Sequence, residues 1–263
     1  MNREELIKKI TTKKDFSELP KQDVELAFNK FNRPHYSDEE KVKLTRDLLR
    51  KVFSVFTSGK LLNIKDKDCE WILNKHISTR ERLKFYPEVY HRIFSDSILD
   101  KVNKRVDLTV IDLGAGVNGF SYKYFPKNIN YLGIEGMNQL VNLTNHYFNR
   151  ENIKGKVIQE SLFNLDKIKE LILKVKGLKI LFLFKVIDSL EMLQDNYSKS
   201  LIKELTPLVD FVVISFATRS LVKRERFKVN RKWILKFIEE NFEVLEDFEI
   251  GNERYIKFRS RFK

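Results

Sequence analysis

From residue 108 onward the chain repeats one pattern, a short apolar run followed by a stretch with helical spacing. Residues 108–113 read LTVIDL, 131–134 read YLGI, 178–184 read LKILFLF and 209–216 read VDFVVISF. Val157 and Ile158 mark a further, shorter run. Continuous apolar runs of this length suit strands buried on both faces. Between them, residues 138–148, 165–176 and 196–205 carry helical periodicity. Strands alternating with helices predict an α/β fold built on a parallel, doubly wound sheet. The pattern ends differently. Residues 242–250 and 254–258 flank Gly251-Asn252-Glu253, a hairpin signal. Five crossover strands and a final antiparallel pair make a seven-stranded sheet.

The first hundred residues show no strand pattern. Leu6, Ile7 and Ile10 share one helical face, and Pro20 can open a second helix carrying Val24, Ala27, Phe28 and Phe31. Ser37 and Glu40 form a capping-box pair. After it, Leu44, Leu48, Leu49, Val52, Phe53 and Phe56 lie to one side, and Lys41, Lys43, Arg46, Arg50 and Lys51 to the other. A short helix is expected around Trp71, Ile72 and Leu73, with Cys69 in the core. Two domains are therefore expected, a helical one over 1–100 and an α/β one over 101–263.

The charge balance adds a partner class. With 50 Lys plus Arg against 37 Asp plus Glu, the net charge is +13. A folded chain this basic suits a polyanion. After the fifth strand comes a dense basic run that includes Arg219, Lys223, Arg224, Arg226, Phe227, Lys228 and Arg231, ending near Trp233. Interleaved cations and aromatics suit phosphates and bases, although Phe227 and Trp233 suit a core equally well. The single cysteine excludes a disulfide framework or a multi-Cys zinc site, and the four histidines lack metal-ligand spacing. No segment approaches the roughly 18 apolar residues that cross a bilayer, and the charged N-terminus lacks a secretory core. A soluble, cytoplasmic protein is expected.

Candidate ligand contacts gather where the strands end. Asp112-Leu-Gly114-Ala-Gly116 closes the first strand, and its small residues let a ligand approach the backbone. A tight strand-to-helix turn would use the same glycines. Glu135 ends the second strand, at the distance from the Gly loop where an acid can accept ribose hydroxyls. Glu160 and Ser161 follow the third strand, beside a possible adenine edge. Lys185 to Asp188 follow the fourth and lack the Asp/Asn-Pro-Pro-Tyr/Phe signature of exocyclic amino methylation. Within HISTRERL, from His76, Ser78 or Thr79 can cap a helix. No GxSxG nucleophile elbow occurs.

Seven strands with the last antiparallel is the Rossmann-like arrangement of class I S-adenosylmethionine-dependent methyltransferases. Four segments narrow the likeness: HISTRERL from His76, DLGAGVNG from Asp112, ISFATRSL from Ile214 and IGNERY from Ile250. In order and spacing they resemble the Arm family, aminoglycoside-resistance enzymes that methylate guanine N7 in the decoding A site of 16S rRNA. The resemblance implies S-adenosylmethionine as cofactor and 16S rRNA within the 30S subunit as partner. The sequence itself shows no sign of a membrane or of an obligate protein partner, and a monomer is expected. Arg82 would hold the cofactor carboxylate, with His76 and Ser78 shaping that pocket. Gly114 and Gly116 would lie against its methionine part, in the motif begun by Asp112. Glu135 takes the place of the ribose-binding acid, and Glu160 and Ser161 would neighbour the adenine. Lys185, Ser215, Phe216, Thr218 and Arg219 would face the target nucleotide. The basic residues of the helical domain would contact rRNA phosphates.

The chain departs from the family most on the acceptor side. Ala115 stands where the family has Cys, and Gly119-Phe120-Ser121 where it has Pro-Leu-Ala. Asp188-Ser189 replaces a Leu-Pro pair, Ala217 a Pro, Val222-Lys223 a Gly pair, and 227–231 a Met-Glu-x-Asn-Tyr stretch. These changes leave two alternatives open, methylation of another RNA site or atom, and a vestigial RNA-binding protein of ribosome assembly.

Overall fold

The structure, a computed structural model, describes residues 1–54, 66–94, 98, 107–218 and 231–261. The strands are β1 (Leu108–Leu113), β2 (Ile129–Glu135), β3 (Gly155–Gln159), β4 (Leu178–Phe184), β5 (Phe211–Ala217), β6 (Glu243–Ile250) and β7 (Glu253–Arg259). They form one sheet in the order β3-β2-β1-β4-β5-β7-β6. The first five pair in parallel; β7 runs antiparallel between β5 and β6. Every residue of β1 is buried, as its unbroken apolar run requires. The connections reverse direction between β1 and β4, so their carboxyl ends open a crevice, the place where such sheets bind ligands.

Helices α1 (Arg3–Thr11), α2 (Lys21–Phe31), α3 (Asp38–Leu49), α4 (Cys69–Lys75), α5 (Ile77–Arg82) and α6 (Tyr86–Ile93) precede the sheet. Between and after the strands come α7 (Asn138–Arg150), α8 (Leu165–Leu173), α9 (Ile187–Leu193), α10 (Tyr197–Leu205) and α11 (Lys232–Asn241). The Ser37–Glu40 capping box forms, and α2 starts after Pro20. The cap expected at Ser78 or Thr79 does not form, because α5 begins at Ile77. Thr79 instead donates to the carbonyls of Leu73 and His76, which fixes the kink between α4 and α5. No helix among the described residues is long and apolar enough to cross a membrane.

Alternate strand positions feed opposite faces. Val110 and Phe182 join Leu6, Ile10 and Phe28 in one core, whereas Ile111, Leu181 and Leu183 join Leu201 and Ile234 in the other. The early helices thus share a core with one sheet face. The domain boundary expected at residue 100 lies outside the described residues. Polar contacts bring α2 over the strand ends: Gln22 donates to the Phe163 carbonyl, and Lys30 pairs with Asp195. After α3 the chain continues as a π turn, Arg50–Ser54, which brings Val52 and Phe53 to the same place.

Arg46, expected on the RNA side, has an internal task. Its guanidinium donates to the carbonyls of Lys9 and Ile10 and to Thr12 Oγ1, capping the end of α1. A cation at a helix C-terminus answers both the unpaired carbonyls and the helix dipole. Arg46→Ala should lower stability by about 1.5–3 kcal/mol, the range for hydrogen bonds to a charged group. Urea denaturation reads this, and unchanged stability would show that α1 does not need the cap.

Candidate active site

The crevice at the carboxyl ends of β1, β2 and β4 holds a cavity of about 750 Å³, counting its open mouth. Its floor is the turn after β1. Gly114 and Gly116 adopt left-handed backbone, with φ of 68° and 51°. A Cβ on Gly114 would sit 2.2 Å from Val186 Cγ2, so the close approach of these two turns demands glycine. At the end of β2, Glu135 is buried and doubly anchored. Its Oε2 accepts from the Gly116 N–H at 2.8 Å, and its Oε1 from the Met137 N–H at 2.8 Å. Burial pushes its carboxyl up, against the pull of these N–H groups. The carboxylate is thereby held in one orientation on the cavity wall.

One end of the cavity is lined by His76, Ser78, Phe184 and Lys185. His76 Nδ1 and Ser78 Oγ lie 2.9 Å apart. Burial, reinforced by the charges of Arg82 and Lys185, pushes the imidazole down to about 3, so His76 is neutral. Lys185 is strained, with φ of 58° just after β4. Residues held in such backbone persist where the surroundings over-determine them, often at functional sites. Here the anchors are visible. The Lys185 N–H donates to the Ser215 carbonyl at 3.1 Å, and Nζ lies 2.7 Å from Glu81 and 3.2 Å from Glu253.

Behind this wall runs a buried polar chain. Glu253, first residue of β7, pairs with Arg82 at 2.7 Å and accepts from Ser215 Oγ. Burial opposes its charge, but Arg82 and Lys185 outweigh it and hold the carboxyl at about 2. Arg82 also donates to Tyr255 Oη at 3.1 Å and to Asn118 Oδ1 at 3.1 Å, and lies 4.7 Å over the Phe184 ring. Asn118 in turn donates to Asp112 at 2.7 Å, which also accepts from Tyr131. Burial pushes Asp112 up to about 6. The DxGxGxN run thus carries a structural tie between the strand and the loop that leaves it.

The other end of the cavity is apolar with two acids. Val52, Phe53, Met137, Leu162 and Phe163 line it, with Glu160 and Asp23. Asp23, from α2, is 2% exposed. Ser161 Oγ donates to its Oδ1. Burial, and after it the nearby charges of Glu135 and Glu160, push its carboxyl up to about 7 against the Ser161 bond.

Six of the expected cofactor residues, His76, Ser78, Gly114, Gly116, Glu135 and Glu160, meet in this one cavity. Arg82, Asp112 and Ser161 stand behind its wall, because each is buried against a protein partner. Among the acceptor-side residues Lys185 lines the cavity; Ser215 and Phe216 are buried within β5, and Thr218 pairs with Glu249. Arg231, expected to meet RNA, instead bonds Asp188 at 2.6 Å and the Ala217 carbonyl. Lys41 and Arg50 pair with Asp38 and Asp47, and Lys43 and Lys51 are exposed. Arg219, Lys223, Arg224, Arg226, Phe227 and Lys228 lie outside the described residues. Sequence reasoning assigned no task to Asp23, Glu81 or Glu253. Only Glu253 carried a signal, as the last residue of the IGNE segment.

Comparison with known proteins agrees with this architecture. The family model described as "Ribosomal RNA methyltransferase (FmrO)" matches residues 39–247. A 16S rRNA (guanine(1405)-N(7))-methyltransferase of Proteus mirabilis is 24% identical over 194 residues, 71% of this chain and 63% of that protein. The match therefore spans less than two thirds of that relative's length. The 16S rRNA methylase RmtB superposes with a TM-score of 0.77 at 18% identity, across 99% of both chains. RmtF, a 16S rRNA methyltransferase solved with S-adenosyl-L-homocysteine, gives 0.78 at 18% identity across 99% of both. These structural likenesses establish the fold, a class I methyltransferase sheet preceded by helices. Since the family model covers most of the chain, from α3 into β6, the protein belongs to the FmrO ribosomal RNA methyltransferase family.

Proposed function

We propose that this enzyme methylates N7 of a guanine in 16S rRNA, in the decoding A site of the 30S subunit, with S-adenosylmethionine as methyl donor. The residues of the cavity fit that cofactor. Glu135, fixed by two backbone N–H groups, can accept both ribose hydroxyls. Gly114 and Gly116, which line the cavity without side chains, would lie against the chain between ribose and amino acid. His76, Ser78 and Lys185 would hold the amino-acid end, with Arg82 adding charge from behind the wall rather than direct contact. When bound, the cofactor supplies an electrophilic methyl group on a sulfonium.

The observation that carries the N7 reading is the lack of a competent general base at the reacting end, among the described residues. His76 is depressed to about 3 and Glu253 to about 2, and Glu81 is engaged by Lys185. An acceptor that first had to lose a proton would be poorly served. Guanine N7 offers a lone pair at neutral pH and needs only placement, so the protein's contribution is proximity and orientation. The guanine must leave its stack to enter the crevice. The helical residues 1–100 and the basic run over 219–231 would bind the rRNA backbone, which positions without specifying. Methylation at the decoding site would also lower aminoglycoside binding. A second reading, another RNA site, draws support from Asp188, which with Ser189 stands where the Arm pattern has Leu-Pro and is bonded to Arg231.

The test is transfer of labelled methyl from S-adenosylmethionine to 30S subunits, free 16S rRNA and tRNA in parallel. The expected result is label on 16S rRNA in 30S subunits. Label confined to tRNA would overturn the target and retain the chemistry.

A further inference from the structure

The apolar end of the cavity is made by two parts of the chain. Glu135, Met137, Glu160 and Leu162 come from the strand ends and the loops after them, whereas Asp23, Val52 and Phe53 come from the early helices. Asp23 stands out among them. Its carboxylate is buried, and among the described residues Ser161 is its one hydrogen-bond donor, at Oδ1. Oδ2 points over the turn after β2, 3.4 Å from where a Gly136 Cβ would be. Burying a carboxylate with one donor is costly, and the second oxygen of a residue that lines a cavity can take a ligand N–H. Glu160 is the rival, but its Oε1 already accepts from the Ser161 N–H at 2.9 Å and from Asn164, and the residue is only partly buried.

We propose that Asp23 Oδ2 accepts the exocyclic amino group of the cofactor's adenine, so that helix α2 completes the cofactor site. The proposal rests on the cofactor reading above. Geometry favours the adenine here. Glu135, the expected ribose acceptor, stands between two sides of the cavity: its Oε2 meets the Gly116 N–H, whose turn faces His76, and its Oε1 meets the Met137 N–H, next to Gly136, whose Cβ position lies 3.4 Å from Asp23 Oδ2. The Asp23 side is apolar, with an unfilled acceptor, and a flat base with one amino donor matches it. Asp23 also lies outside residues 39–247, the stretch matched by the family model, so the family pattern does not carry it.

Two consequences separate this role from a structural one. The first concerns selectivity. A site built to pair with a ligand N–H rejects an analogue that presents an oxygen there, by up to about 10⁴-fold in well-formed sites. The second concerns linkage. A ligand that touches α2 must stabilise the docking of α2, because binding and docking share one free energy.

The experiment compares S-adenosylhomocysteine with S-inosylhomocysteine, which carries a 6-oxo group, by calorimetry on the full chain. The variants are Asp23→Asn, Asp23→Ala and Glu160→Gln. The wild type should prefer the adenosyl ligand by at least about 100-fold. Asp23→Asn, nearly isosteric and able to donate to a 6-oxo group, should reduce that preference below about tenfold. Glu160→Gln should reduce it less than Asp23→Asn does. In the wild type, S-adenosylhomocysteine should slow hydrogen exchange of the α2 amides, and in Asp23→Ala this protection should shrink. An unchanged preference in Asp23→Asn, or one lost in Glu160→Gln instead, would overturn the proposal. A wild type that binds neither ligand would overturn the cofactor reading itself, a distinguishable failure.

Discussion

Glu253→Ala should destabilise the protein by about 3–5 kcal/mol, the range measured when one partner of a buried ion pair is removed. The side chains of Arg82 and Lys185 are 2% and 7% exposed, and both pair with Glu253. Without it, Arg82 retains neutral partners alone, Tyr255 and Asn118, and Lys185 retains Glu81. Domains are stable by only about 5–15 kcal/mol, so a loss of this size removes a large share of the total. Glu253→Gln separates charge from hydrogen bonding, since the amide can still accept from Arg82 but carries no charge. It should fall between wild type and Glu253→Ala in urea denaturation. If Glu253→Ala unfolds at the wild-type urea concentration, the cluster is not what holds β7 to α5.

The same group sets an acid limit. Its folded carboxyl lies at about 2, below the ordinary glutamate value of 4.5, so the folded state binds the proton more weakly than the unfolded one. Its contribution is therefore complete above pH 4.5 and is lost as pH falls toward 2. Asp23 has the opposite sign. Its folded carboxyl is raised from 3.8 to about 7, so its ionisation weakens the fold as pH rises across that interval. A chain that keeps such a group in its cavity wall retains it at some expense in stability, as binding sites often do.

Gly114→Ala should reduce methyl transfer by at least about 100-fold, because misplacement by about 1 Å near a reacting centre has that effect. Two strains add. The left-handed φ of 68° costs a residue with a Cβ about 1–2 kcal/mol. The new methyl would overlap Val186 Cγ2, at 2.2 Å, and push apart the turns after β1 and β4. Overpacking of this kind costs about 1–3 kcal/mol. Val186 follows Lys185, so the displacement reaches the charged end of the cavity directly. Cofactor affinity, read by calorimetry, and methyl transfer should both fall. Wild-type affinity in Gly114→Ala would show that the loop yields without disturbing the site.

Legibility in the sequence followed burial. β1, β4 and β5 were plain because a strand covered on both faces needs an unbroken apolar run, and such runs are hard to mistake. The hairpin at Gly251-Asn252 and the capping box at Ser37 were plain because local turn and cap chemistry uses few residue types. The glycine loop and Glu135 were legible for a similar reason, since backbone approach and strand-end position restrict the residue. Tertiary partners were not legible. Arg46 and Arg231 look like any other surface cation in the sequence, yet one caps α1 and the other clasps Asp188. Asp23 sits near the start of an amphipathic helix, where an acid ordinarily faces water and the helix dipole. Nothing local shows that the strand ends bury it. Arg82 was expected to hold the cofactor carboxylate, but its side chain stands behind the cavity wall, and its pairing with Glu253, 171 positions away, depends on β7 running antiparallel beside β5.

Guanine N7 is told from every other acceptor by the target atom itself. The most direct measurement is nucleoside analysis of 16S rRNA from 30S subunits treated with enzyme and S-adenosylmethionine, followed by borohydride reduction and aniline scission to locate the modified base. The account predicts 7-methylguanosine and a single scission in the decoding region. A methyl group on any other atom, or 16S rRNA left unmodified by an enzyme that binds the cofactor, would contradict it.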